Sequence, residues 1–139
     1  MHGDERVADI GEFGLIRRIA RILSGDDGST HFGDDTAILD QPGNNFLLAT
    51  TDMLVDGVHF HRSSADPFDL GRRAVSINVS DIASMGGTPT FGLTSLALPP
   101  ELPVEFVEQL YRGMHFEADR FGLQIVGGNT TRIVDLVVV

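Results

Sequence analysis

Apolar residues recur at helical spacing in three stretches of the chain. Leu15, Ile16, Ile19, Ile22 and Leu23 form the first stripe, with Arg17, Arg18 and Arg21 on the opposite face. The second stretch opens at Asp66, a capping residue, with Pro67 at the first helical position and Asp69 in the first turn. It runs through Val75, Ile77, Val79, Ile82 and Ala83 to about Met85, where Gly86-Gly87 stops it. Pro103 opens the third, which passes through Val107, Leu110, Met114, Ala118 and Phe121 and closes at Gly122. Between these stretches the pattern is strand-like at residues 36–40, 46–52, 90–98, 123–126 and 133–139. Gln41-Pro42-Gly43-Asn44-Asn45 reads as a hairpin turn, and Pro99-Pro100 ends the third strand. Ser24-Gly25-Asp26-Asp27-Gly28-Ser29 is a turn-rich break. The order α-β-β-α-β-α-β-β predicts an α+β or α/β domain. Residues 1–10 read as a loose polar tail and residues 11–139 as one domain without a linker. The apolar strand at Asp135–Val139 ends with no turn or polar tail, so a cut inside a larger protein is expected.

Composition narrows the chemistry. The chain has 139 residues, 42% of them hydrophobic, enough for one real core. Its 20 acidic and 10 basic residues give a formal charge of -10. That balance opposes nucleic-acid binding and docking on anionic lipid, and it fits a protein that collects cations. No cysteine occurs, which excludes disulfides, zinc thiolates and thiol nucleophiles. No lysine occurs either, so a P-loop and a Schiff base are excluded; phosphate would have to be met by metal ions, arginine and backbone N–H groups. The start, MHGDERVADI, lacks the apolar core of a signal peptide, and no segment reaches the length of a membrane span. A soluble cytoplasmic protein is expected.

Four polar clusters interrupt the apolar plan. Gly33-Asp34-Asp35-Thr36 places adjacent carboxylates at the mouth of a strand, which suits a hard cation or a solvated turn. Thr50-Thr51-Asp52 ends the next strand, with Asp56-Gly57-Val58-His59 just beyond. His59 and His61 would share a face if extended, but no third zinc ligand is evident; His59 reads as a contact to a substrate anion or as a packed surface histidine. Asn78 and Asp81 lie three apart on one face of the second helix. An aspartate on a largely apolar helix needs a partner, either an arginine such as Arg72 or Arg73 or a metal ion. Finally, Gly127-Gly128-Asn129-Thr130-Thr131-Arg132 follows a strand and suits either phosphate or a tight turn. A shared acidic site explains the clusters together, and Mg²⁺ arriving with a nucleotide is the natural counter-charge.

In their order, Gly11-Glu12-Phe13, Gly33-Asp34-Asp35, Thr51-Asp52 with Asp56-Gly57-Val58-His59-Phe60, Asn78 to Gly86, and Gly127 to Arg132 resemble the thiamine-monophosphate kinase family. The wider superfamily includes aminoimidazole ribonucleotide synthetase and selenophosphate synthetase. The resemblance spans residues 11 to 132 and implies an α+β amino-terminal domain, a mixed sheet with two long helices on one face, whose strands pair across a homodimer. It implies ATP- and Mg²⁺-dependent transfer of the γ-phosphoryl group onto thiamine monophosphate, giving thiamine diphosphate. By position it implies Asp35, Thr50, Thr51, Asp52 and Asp81 as metal ligands, with Asp34 and Asn129 beside them. It implies His59 at the substrate, Tyr111 at the nucleotide, and Gly128, Asn129 and Arg132 at the ATP phosphates. The family pattern has aspartate where Asn129 stands; asparagine keeps a carbonyl oxygen but brings no charge. Family members are about twice as long, so little activity is expected of this chain alone. The alternatives are a non-catalytic dimerisation or nucleotide-binding module, and a sister ATP-dependent synthetase.

Overall fold

The structure, a computed structural model, describes residues 5–24, 34–43 and 45–139. Its elements are α1 (Val7–Ser24), β1 (Ala37–Gln41), β2 (Asn45–Ala49), β3 (Leu54–Val55), α2 (Pro67–Ser84), β4 (Phe91–Leu98), α3 (Val104–Phe121), β5 (Gln124–Arg132) and β6 (Val137–Val138). The three expected helices are present. α1 starts inside the stretch expected to be a loose tail, because Val7–Ile10 is already helical; the chain kinks at Gly11, whose φ of 64° breaks the helical run. The turn-rich break at Gly25–Ser29 lies outside the described residues, as do Gly33 and Asn44.

α2 is capped as its sequence requires. Asp66 accepts a hydrogen bond from the Asp69 N–H, and Pro67 follows at the first helical position. α3 ends at Gly122 in the left-handed conformation, with the Gly122 N–H returning to the last-turn carbonyls. The two helices cross closely because glycine stands on each. A Cβ at Gly71 would meet the Leu110 carbonyl oxygen, and one at Gly113 would meet that of Phe68.

β1 and β2 form an antiparallel hairpin. The other strands form a mixed sheet in the order β3-β6-β4-β5, with β4 and β5 parallel across α3, and β6 antiparallel to β3 and β4. Three strand expectations change. The strand expected over residues 46–52 stops at Ala49, which leaves Thr50, Thr51 and Asp52 in the connection that follows β2. The strand expected over residues 133–139 shortens to Val137–Val138, with Leu136 fully buried and its carbonyl accepting from the Asp56 N–H. The strand expected to stop at Val126 instead continues through Gly127-Gly128 to Arg132. A register shift between Gly92 and Leu93 accommodates it, and Gly128 is needed there because a side chain would strike the Thr94 carbonyl oxygen. The glycine pair thus brings two strands together rather than turning the chain.

One face of the sheet carries the core. Leu54, Leu96 and Val138 meet Leu70, Val75 and Val79 of α2 and Leu110, Met114 and Ala118 of α3. Each large side chain buried there contributes about 1.5–3 kcal/mol. The opposite face remains open, with Phe91 69%, Leu93 73% and Val126 57% exposed. A cavity of about 1410 Å³ lies between the hairpin, α2 and β4–β5, lined by Val75, Val79 and Met114 of the core as well as by Phe91, Leu93 and Val126.

Candidate cation and phosphate site

One face of α2 organises the acidic segments. Near its end, Ser84 Oγ sits 2.6 Å from Asp35 Oδ2. One turn earlier, Asp81 Oδ2 accepts a 2.8 Å hydrogen bond from Thr50 Oγ1, which also lies 3.1 Å from the Asp35 carbonyl oxygen. Asn78 Oδ1 accepts from the Asp52 N–H at 3.0 Å. Further towards the start, Arg73 Nη1 donates to the His59 carbonyl oxygen at 2.8 Å. Residues 73, 78, 81 and 84 therefore hold three separate stretches of chain, at Asp35, at Thr50–Asp52 and at His59, along one helix, as 3.6-residue periodicity allows.

Two candidate partners of Asp81 are thereby decided. Arg72 pairs with Asp69 and Glu117, and Arg73 with the His59 carbonyl, so neither arginine meets Asp81. Among the described residues no basic side chain pairs with Asp35, Asp52 or Asp81. Asp56 differs, because Arg62 lies 3.6 Å from its carboxylate and donates a backbone N–H to it as well. Of the two carboxylates after β2, Asp56 is neutralised by the protein and Asp52 is not.

Asp35, Thr50, Asp52 and Asp81 are brought onto one helix face, and Asp34 adjoins them in sequence, exposed. Thr50, Thr51 and Asn78 open onto the large cavity. Thr36, beside Asp35, is buried with its hydroxyl unpartnered among the described residues. Tyr111 stands partly exposed on α3, whereas Gly128, Asn129 and Arg132 lie along β5, with Asn129 opposite Ser95. None of these four lines the cavity. His59 and His61 do not share an extended face: His59 lies in a turn closed by the Gly57 N–H to the Phe60 carbonyl, with Gly57 at φ 79°. Among the described residues no three histidine, aspartate or glutamate side chains gather as a metal cage.

Residues 33–139 match the family described as AIR synthase related protein, N-terminal domain. The chain belongs to this family. Relatives of known activity share the pattern over nearly its whole length. The thiamine-monophosphate kinase of Aquifex aeolicus is 42% identical over 91% of the chain and 40% of its own length. That of Corynebacterium glutamicum is 38% identical over 95% of the chain and 39% of its own length. A solved structure of AaThiL complexed with AMPPCP and TMP superimposes with a TM-score of 0.90 at 38% identity, covering 97% of this chain and 42% of that one. Thiamine monophosphate kinase from Aquifex aeolicus gives 0.83 at 34% identity, over 96% and 41%. The chain thus spans about two fifths of the length of these relatives.

This AIR synthase related domain also carries a buried carboxylate that sequence reasoning passed over. The Glu117 side chain is 4% exposed and bonded by Arg72 at 2.9 Å, Arg120 at 2.8 Å and Ser76 Oγ at 3.3 Å. The Arg72 guanidinium, above all, holds the Glu117 carboxyl below the usual glutamate range, against the opposing effect of burial. Arg72 also lies over the Phe116 ring, 5.5 Å from its centroid. A signal was present: Glu117 falls on the Leu110–Met114–Ala118 stripe, where a charged residue needs a partner.

Proposed function

We propose that this chain is the cation- and nucleotide-holding part of a thiamine-monophosphate kinase, which moves the γ-phosphoryl group of ATP onto the phosphate of thiamine monophosphate. The observation that carries the reading is the set of carboxylates along α2, Asp35, Asp52 and Asp81, which no basic side chain among the described residues neutralises. Similarity to thiamine-monophosphate kinases supports the choice of substrate.

The donor set fits Mg²⁺. It consists of oxygens alone, with Thr36 adding an unpartnered hydroxyl beside Asp35. A magnesium ion needs only one or two carboxylates and leaves its other positions to water and phosphate, so a full cage is not required. One or two carboxylates from among Asp34, Asp35, Asp52 and Asp81 would hold each ion, with Thr50 and Thr51 beside them and Asn129 from β5, and when bound it would neutralise charge on the transferring phosphoryl group. Thr50 orients the Asp81 carboxylate, and Asn78 fixes the backbone at Asp52, so that the oxygens are placed before any ligand arrives. Tyr111, Gly128, Asn129 and Arg132 would meet ATP, and His59 the substrate. Phosphoryl transfer rests on in-line positioning and charge neutralisation, so a chain without lysine is equipped for it.

The open sheet face with Phe91, Leu93 and Val126 supports a homodimer. Among the described residues no helix is long and apolar enough to cross a membrane, and we assign the protein to the cytoplasm. The test is calorimetric titration of the chain with Mg–AMPPCP and with thiamine monophosphate, beside other phosphorylated small molecules. The reading expects both ligands to bind and thiamine monophosphate to be preferred over the panel. Binding of the nucleotide with no preference for thiamine monophosphate would replace it with a sister enzyme, and binding of neither would reject it.

A further inference from the structure

The turn that carries His59 is fixed from two sides. Inside it, the His59 N–H returns to the Val55 carbonyl at 2.9 Å, and the Val55 N–H donates to His59 Nδ1 at 3.0 Å. A ring nitrogen that accepts cannot carry the proton, so the imidazole is held with its N–H at Nε2. From outside, Arg73 on α2 donates to the His59 carbonyl oxygen. This is the one polar contact of the Arg73 side chain among the described residues, and its acceptor is a neutral carbonyl although the chain carries a net charge of -10. Arg73 is exposed, so the bond does little for the core. It ties the turn to the same helix that holds Asp52 through Asn78 and Thr50 through Asp81.

We infer that Arg73 is a positioning residue: it sets the turn at residues 56–60 relative to α2, so that His59 presents its Nε2–H to the substrate in register with the acidic site. The inference rests on the assignment of His59 to the substrate. It extends that assignment, because the specificity contact then depends on a side chain 14 residues away that touches no ligand.

Two readouts test it. The first needs no ligand: long-range ¹⁵N–¹H spectra of the histidine rings in the 139-residue chain report the tautomer of His59. The unsubstituted protein is expected to show Nε2–H alone. Arg73→Ala should mix the tautomers with melting temperature unchanged, and Arg73→Lys, which keeps a donor, should restore the single form. The second readout is calorimetric binding of thiamine monophosphate. Arg73→Ala is expected to weaken it by about tenfold, as loss of a charge-assisted contact does. Nucleotide binding should be untouched, and Arg73→Ala combined with His59→Ala should be no weaker than His59→Ala alone. A single unchanged tautomer in Arg73→Ala, or a combined variant a further tenfold weaker, would overturn the inference. If the unsubstituted chain does not bind thiamine monophosphate while the tautomer still follows Arg73, the substrate assignment fails and the positioning role stands.

Discussion

Asp81 and Glu117 are both carboxylates on long helices that pack against each other, yet the protein treats them oppositely. Glu117 is enclosed by Arg72, Arg120 and Ser76, so its charge is matched within the fold. Asp81 receives a single neutral hydroxyl, from Thr50, and its charge is left over. A hydroxyl can orient a carboxylate but cannot neutralise it, whereas two guanidinium groups do both. The first arrangement ties α2 to α3; the second leaves the Asp81 charge unmatched by any basic side chain among the described residues, which is the feature the proposed cation site rests on. The contrast is between a carboxylate matched within the fold and one that is not.

The comparison is broken most severely by Gly113→Ala. The new methyl would press on the Phe68 carbonyl and force the helices apart, disturbing both carboxylates at once. Overpacking of this kind should cost about 3 kcal/mol in urea unfolding. Glu117→Gln isolates the matched side: it keeps the shape, loses the charge, and should cost about 2 kcal/mol. It should also remove a pH dependence. The folded carboxyl is held below its ordinary value, so the stabilisation is complete above the ordinary glutamate pKa of about 4.3 and is lost as pH falls through the lower folded value. Melting curves of the unsubstituted chain and of Glu117→Gln should therefore converge on acidification below about pH 4.3. Thr50→Val sharpens the other side, leaving the Asp81 carboxylate without its hydroxyl at a cost of about 1 kcal/mol in the absence of divalent cations. Asp81→Asn should have the smallest effect on the cation-free fold, within about 0.5 kcal/mol, because it removes a charge that nothing in the protein matches.

Much of this was legible in the sequence where the signal is local. Asp66 and Pro67 announced α2, Gly122 ended α3, and the need of Asp81 for a partner followed from the apolar helix around it. What could not be read were the pairings at long range. Thr50 lies 31 positions from Asp81, and Arg72 lies 45 from Glu117. β3 and β6 are two-residue strands that exist because Leu54 meets Val138 across most of the chain, so no local alternation marks them. Gly127-Gly128 misled because a glycine pair signals a turn and a close strand approach equally well, and only the neighbouring Thr94 carbonyl decides between them. Asp35, Thr50, Asp52 and Asp81 stood out in the sequence as polar clusters; that α2 ties them together, with Ser84 and Arg73 included, came only with the fold.

The most direct test of the central claim is thermal unfolding with EDTA and with millimolar Mg²⁺ for three proteins: the unsubstituted chain, Asp81→Asn and Glu117→Gln. A cation that binds the folded state alone at about one hundred times its dissociation constant adds about 2.7 kcal/mol, which a melting curve resolves. The account predicts that Mg²⁺ raises the melting temperature of the unsubstituted chain and of Glu117→Gln by the same amount, from a lower starting point in Glu117→Gln, and leaves Asp81→Asn unmoved. A Mg²⁺ shift that survives in Asp81→Asn, or one that disappears in Glu117→Gln, would contradict it.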